Sequence, residues 1–354
     1  MSADELTLDP GVLAPVPTLE FGGQRAAAQT GGVAILPWRR DWLAAQAAGV
    51  IAHPRIGDLA DARFEQALVH LQKSRDATWQ DLCSAWSRLV LGGRLLLCGG
   101  NDLGVVSAVK RLARELDQPT RVLANRRHAR IALFERQDGP GPEAPQGGAI
   151  EIPIADGDPR PLRTAAGVFS ARRLDAGTGL LLTTLLELDV TPKRILDLGC
   201  GTGALGLTAL AHWPNALAML LDADVRAIDC ARGNAEALGL MDRCQLVWWD
   251  ASEPLPASDF DLVLLNPPFH AGKAVDLDPA RDLFVRLGEG LSQGGRGLVV
   301  ANRTLPYESD LEALGRLETR IETRGYKVLE LRKRPRSSSS RARKSPGARS
   351  RGRS

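Results

Sequence analysis

The run Asp197-Leu198-Gly199-Cys200-Gly201-Thr202-Gly203 follows the apolar segment Arg194-Ile195-Leu196 and opens a helical pattern from Ala204 to Ala211. Alternate glycines between a strand and a helix let the backbone turn sharply and approach a ligand closely. This places the segment at the ligand-binding turn of an α/β sheet. Downstream, apolar strand patterns at Ala218–Leu221, Gln245–Trp249, Asp261–Leu265 and Gly297–Ala301 alternate with helical patterns through Leu238 and over Pro279–Leu291. Strand and helix in alternation predict a parallel, doubly wound α/β sheet.

The glycine spacing alone fits two cofactors, since Gly201-x-Gly203-x-x-Gly206 also satisfies the nicotinamide-dinucleotide pattern. Asp222, at the end of the next strand, is placed to accept ribose hydroxyls in either case. Asp197 separates them. A carboxylate at the start of the loop repels a pyrophosphate and favours the ammonium and sulfonium of S-adenosylmethionine. Gly199, Gly201, Gly203 and Asp222 are therefore expected to cradle that methyl donor with Asp197. Asp250, after the strand ending in Trp248-Trp249, is expected to hold the adenine amino group.

Asn266-Pro267-Pro268-Phe269 directly follows Asp261-Leu262-Val263-Leu264-Leu265, at the carboxyl edge where open α/β sheets bind ligands. Two prolines stiffen the turn and remove competing amide donors. The Asn266 side-chain oxygen and the Pro267 carbonyl can then accept both hydrogens of one planar amino group. Phe269 offers a face for stacking a base, and a base inside a helix must be unpaired or flipped to reach it. Trp248 and Trp249 are expected in the core, and His270 is expected to scaffold the turn.

The first half of the chain echoes the second. Phe64–Lys73 aligns with Phe260–Phe269, Leu91–Leu97 with Gln293–Val299, and Arg121-Val122-Leu123 with Lys327-Val328-Leu329. Three matches in the same order predict a duplicated fold. In the first copy His70-Leu71-Gln72-Lys73 stands where Asn-Pro-Pro-Phe should be, so that copy is expected to be degenerate and to help hold substrate. The Gly- and Pro-dense stretch 137–149 is the expected linker. The resulting division is an N-terminal extension over 1–30, a degenerate domain over 31–136, a catalytic domain over 150–331, and a disordered tail over 332–354.

That tail holds ten Lys or Arg residues and no acid, so the net charge of +3 leaves about −7 for residues 1–331 once those ten are subtracted. Such a segment lacks the apolar residues to fold and is suited to salt-sensitive phosphate contacts. The five cysteines, an odd number without metal-ligand spacing, are expected as reduced thiols in a cytoplasmic protein that binds no metal. No apolar run reaches the length of a membrane span.

At these residues the chain resembles the ribosomal RNA guanine-N2 methyltransferases of the RsmC and RlmG type, which carry a domain of the "methyltransferase small" kind. The likeness rests on Gly167-Val168-Phe169-Ser170, Leu174-Asp175-x-Gly177-Thr178, the Asp197 loop and Asn266-Pro267-Pro268-Phe269-His270, with Gly100-Asn101-Asp102-Leu103-Gly104 similar to that family's inactive domain. The resemblance implies tandem Rossmann-like class I methyltransferase folds, the N-terminal copy degenerate and the C-terminal copy catalytic. It implies Phe169, Ser170 and Thr178 at the entrance to the S-adenosylmethionine pocket. It also implies a monomer acting on ribosomal RNA or a ribosomal subunit, by guanine-N2 transfer to 16S rRNA. The alternatives are 23S rRNA, adenine N6 or protein glutamine N5 as acceptor, or an RNA-binding ribosome-assembly module without activity.

Overall fold

The computed structural model describes residues 3–126, 128–154, 157–168, 173–268 and 278–334. Two seven-stranded sheets dominate it. The first holds β1 (Thr18–Phe21), β2 (Val33–Ile35), β3 (Ala52–His53), β4 (Phe64–His70), β5 (Leu89–Gly100), β6 (Arg121–Arg126) and β7 (Ala129–Glu135). A hairpin of β8 (Gly148–Ile154) and β9 (Gly157–Thr164) follows. The second sheet holds β10 (Arg194–Leu198), β11 (Leu217–Asp222), β12 (Cys244–Trp248), β13 (Phe260–Leu265), β14 (Leu291–Asn302), β15 (Gly315–Glu322) and β16 (Tyr326–Lys333). The helices are α1 (Ala3–Leu6), α2 (Arg25–Thr30), α3 (Arg39–Ala47), α4 (Arg75–Arg88), α5 (Val105–Glu115), α6 (Ala176–Leu186), α7 (Ala204–His212), α8 (Val225–Ala237), α9 (Asp278–Gly290) and α10 (Glu308–Glu312).

Both sheets have one topology, β3-β2-β1-β4-β5-β7-β6 and β12-β11-β10-β13-β14-β16-β15. Six of the seven strands run in one direction, and β7 or β16, antiparallel to both its neighbours, is inserted before the last. Central strands covered on both faces should be apolar throughout. Leu262–Leu265 and Leu95–Cys98 are both fully buried runs of this kind. The duplicated fold expected from the repeat is thus present. Its third sequence match is off by one strand: Arg121-Val122-Leu123 lies in edge strand β6, whereas Lys327-Val328-Leu329 lies in β16, the counterpart of β7. Short β-forming triplets do not distinguish an edge strand from its inner neighbour. The first sheet also starts at Thr18, inside the stretch expected to be an extension, because β1 is too short to show a period. At the other end, β16 runs to Lys333, two residues into the expected tail; residues 335–354 of that tail lie outside the described residues.

The order of each sheet reverses between its first and fourth strands, the point at which open α/β sheets bind ligands. In the second sheet Leu198 pairs with Leu265, so the glycine loop and Asn266 leave the sheet at the same level. The two folds touch along the stretch before α3: the Arg39 amide donates to the Ala223 carbonyl at 2.8 Å and the Val225 amide to the Pro37 carbonyl at 2.9 Å. Among the described residues no helix is long and apolar enough to cross a membrane.

Candidate active site

The carboxyl edge of the second sheet opens into a cavity of about 570 Å³, within the range of small-molecule sites. Gly199, Gly201, Asp222, Asp250, Thr178, Asn266, Pro267 and Pro268 all line it, so the structure brings together eight of the residues singled out in the sequence. Phe169 and Phe269, with Ser170 and His270, lie outside the described residues. Gly199, Gly201 and Gly203 have φ of 72°, 54° and 87°, a left-handed backbone that only glycine adopts without penalty. A Cβ on Gly199 or Gly201 would meet nothing within 4 Å, whereas one on Gly203 would lie 2.9 Å from Leu207 Cδ1. The first two face open space, and the third lets α7 pack closely.

Asp197 takes a different place from the one expected. It is fully buried and does not line the cavity. Its Oδ2 accepts from the Gly206 amide at 2.8 Å, and its Oδ1 has no partner among the described residues. The carboxylate therefore acts from beneath the loop, bracing it against the first turn of α7. Asp222 faces the cavity, with Oδ2 accepting from the Gly201 amide at 2.8 Å and Oδ1 from the Asp224 amide at 2.9 Å. These two acids occupy amides near the α7 N-terminus that a pyrophosphate would need, so the site is unsuited to a dinucleotide.

Burial pushes the Asp197 carboxyl up to about 7, against the Gly206 hydrogen bond and with a further push from Asp222. Burial likewise raises Asp222 to about 6, against the amides of Asp224 and Gly201. Both carboxyls are poised to respond to a cation arriving in the cavity. At Asp250 burial also acts upward, but hydrogen bonds from Ser252 and the charge of Arg40 outweigh it and hold the group below its usual range. Its Oδ1 accepts from Ser252 Oγ at 2.6 Å and from Arg40 Nη2 at 3.2 Å.

On the other wall, Asn266 Nδ2 donates to Thr178 Oγ1 at 2.8 Å. Asn266 Oδ1 is buried and has no partner among the described residues. Asp175 Oδ2 caps α6 by accepting from the Thr178 amide at 3.0 Å. The chain Asp175, Thr178, Asn266 thus commits the amide nitrogen to the protein and leaves the Oδ1 of a cavity-lining residue without a partner among the described residues. A buried acceptor without a partner costs about 1–3 kcal/mol, which a ligand N–H would recover. Pro267 and Pro268 follow without a backbone donor to compete for it.

Residues 160–330 match the family model described as the methyltransferase small domain. The ribosomal RNA small subunit methyltransferase C of Pseudomonas entomophila is 35% identical over 280 residues, covering 78% of this chain and 81% of the relative. That of Hahella chejuensis is 33% identical over 308 residues, covering 85% and 88%. The chain belongs to the ribosomal RNA small subunit methyltransferase C family. Among solved structures, the T. thermophilus 16S rRNA N2 methyltransferase RsmC in complex with AdoMet and guanosine matches with a TM-score of 0.79 at 26% identity, over 90% of this chain and 88% of that one. The tandem class I methyltransferase folds of this family are the two sheets described above.

This member of the family carries a different constellation at the matching place in its first fold. Glu20 pairs with Leu68 as Asp197 pairs with Leu264, and Glu20 Oε2 accepts from the Ala27 amide at 2.8 Å just as Asp197 accepts from Gly206. His70 stands at the position of Asn266. Its Nε2 lies 2.7 Å from Glu20 Oε1, and its Nδ1 lies 3.2 Å from Cys98 Sγ. The first fold therefore keeps the buried acid, and a histidine takes the place of the orphan acceptor. Sequence reasoning missed Glu20, because β1 is four residues long. It also missed Trp38, Arg40 and Asp41, which line the cavity from the first fold; no local pattern marks residues joined to a site only by domain packing.

Proposed function

We propose that this chain transfers a methyl group from S-adenosylmethionine to the exocyclic N2 of a guanine in 16S rRNA. The observation that carries this reading is the unpaired, buried Asn266 Oδ1, held in place through Thr178. The cavity suits the cofactor because it presents a ribose-facing carboxylate at Asp222 and glycine-lined open space at Gly199 and Gly201. The cofactor supplies an electrophilic methyl carbon on a sulfonium. The guanine amino group is a poor nucleophile because its lone pair is delocalised into the ring. Asn266 Oδ1 and the Pro267 carbonyl accept its two hydrogens and draw the nitrogen toward a tetrahedral shape. The lone pair then forms the N–C bond as the C–S bond breaks toward sulfur, and the alkylated nitrogen releases one proton to solvent. Catalysis is by positioning and electrostatics. Phe269 stacks the base in this reading.

The first fold is non-catalytic in this account, because its acid is already bonded to His70 where an acceptor for substrate would stand. It helps hold ribosomal RNA, with the basic tail adding phosphate contacts. The chain acts as a cytoplasmic monomer, and its five cysteines are free thiols. Incubation of ribosomal subunits, naked rRNA and total protein with methyl-labelled S-adenosylmethionine tests the reading. Label should enter small-subunit RNA, and Asn266→Ala should still bind cofactor while losing most turnover. Label confined to protein, or full turnover by Asn266→Ala, contradicts it.

A further inference from the structure

The contacts that α3 and the residue before it make with the second fold fall on the two acidic turns of the cavity. Trp38 forms a β-bridge with Asp224, two residues after Asp222. The Arg39 guanidinium bonds both carboxylate oxygens of Glu253, three residues after Asp250, at 2.9 Å each. It lies 5.2 Å and 5.1 Å from the ring centroids of Trp42 and Trp248, one from each fold. Arg40 bonds Asp250 itself. The turns after β11 and β12 are therefore held from outside by the first fold.

The same segment reaches into the cavity. Trp38, Arg40 and Asp41 line it beside Asp222 and Asp250. Trp38 is 45% exposed, a large apolar ring left open at the cavity beside the exposed Arg40 and Asp41. An aromatic face beside two carboxylates matches a purine with an exocyclic amino group.

We propose that the first fold supplies part of the adenosine site: Trp38 stacks on the adenine of the cofactor, and Arg40 positions Asp250 to accept from the adenine amino group. The inference rests on the cofactor reading above and gives the non-catalytic fold a part in binding the methyl donor as well as RNA. Docking of the folds and occupancy of the cavity are then linked, since the residues that join the domains also form the wall.

Isothermal titration of the full chain with S-adenosylmethionine and with S-adenosylhomocysteine, which share the adenosine, tests it. Trp38→Ala should weaken both by about tenfold or more, the effect of removing one base-stacking aromatic, and Trp38→Phe should restore most of the loss. Arg55→Ala breaks an exposed inter-fold ion pair with Asp229 at 2.6 Å and should leave both affinities within twofold. Thermal unfolding without ligand should show Trp38→Ala folded like the unaltered chain. Affinity undiminished in Trp38→Ala, or equally weakened in Arg55→Ala, overturns the inference alone. Absence of binding by the unaltered chain overturns the cofactor reading beneath it.

Discussion

Replacing Thr178 by valine removes one oxygen and keeps the side chain's shape, and its effect follows from the Asn266 geometry. Thr178 Oγ1 is the acceptor for Asn266 Nδ2 at 2.8 Å. Thr178 is itself 7% exposed, so water does not readily replace that acceptor. Valine leaves the amide donor unpaired and lets the amide turn its NH₂ toward the substrate, where it meets another donor. An unsatisfied buried polar group costs about 1–3 kcal/mol. At about 1.4 kcal/mol per tenfold in rate, kcat should fall roughly 5- to 150-fold. The Thr178 amide still caps against Asp175, so α6 and the cofactor wall persist and the KM for S-adenosylmethionine should change little. Thr178→Ser retains the hydroxyl and should recover most of the rate. The assay is initial-rate methyl transfer to small ribosomal subunits under saturating cofactor. A Thr178→Val enzyme with unchanged kcat, or a serine variant as slow as the valine one, refutes the claim that Thr178 orients the catalytic amide.

The two buried acids make the chain sensitive to pH. Asp197 and Asp222 titrate at about 7 and about 6 in the folded chain, above the unfolded carboxylate value of about 3.9, so the folded state keeps its protons longer. Their contribution to stability is full below about pH 4 and is lost as pH rises through 6 to 7; melting of the ligand-free chain should show that loss. Because the cationic cofactor favours the ionised acids, its Kd should weaken as pH falls from 8 to 6, with proton release visible by calorimetry in two buffers; a flat Kd contradicts this. Gly203→Ala combines a φ of 87° with a contact of 2.9 Å to Leu207 and should cost about 1–3 kcal/mol, read by urea unfolding. His70→Ala strands the buried Glu20 carboxylate and should cost about 3–5 kcal/mol, while calorimetry on the unaltered chain should give one cofactor per chain. Two cofactors per chain would mean that the first fold binds one as well.

Much of this site was legible in the sequence because its parts are local. Strand, glycine loop and helix N-terminus are contiguous, so Gly199, Gly201 and Asp222 could be placed by spacing, and Asn266 by its position after an apolar strand. The role of Asp197 was not legible: its type fits a cation contact, and only the burial of β10 shows it bonding the Gly206 amide instead. Thr178 was visible through the family resemblance, but its bond to a residue 88 positions away depends on how α6 crosses the second sheet. Register was the weakest point. The apolar runs of β4 and β13 are long enough to align by eye, whereas β1 has four residues and β6 an exposed pattern. The wall supplied by Trp38, Arg40 and Asp41 depends on one fold docking on another, which no single segment encodes.

The central claim is that this chain methylates a guanine N2 in small-subunit RNA. Nucleoside mass spectrometry of fragments spanning 16S rRNA tests it most directly. An N2-methylguanosine should be lost from 16S rRNA on deletion of the gene, return with the unaltered chain, and stay absent with Asn266→Ala. N2-methylguanosine unchanged throughout 16S rRNA after deletion contradicts the account.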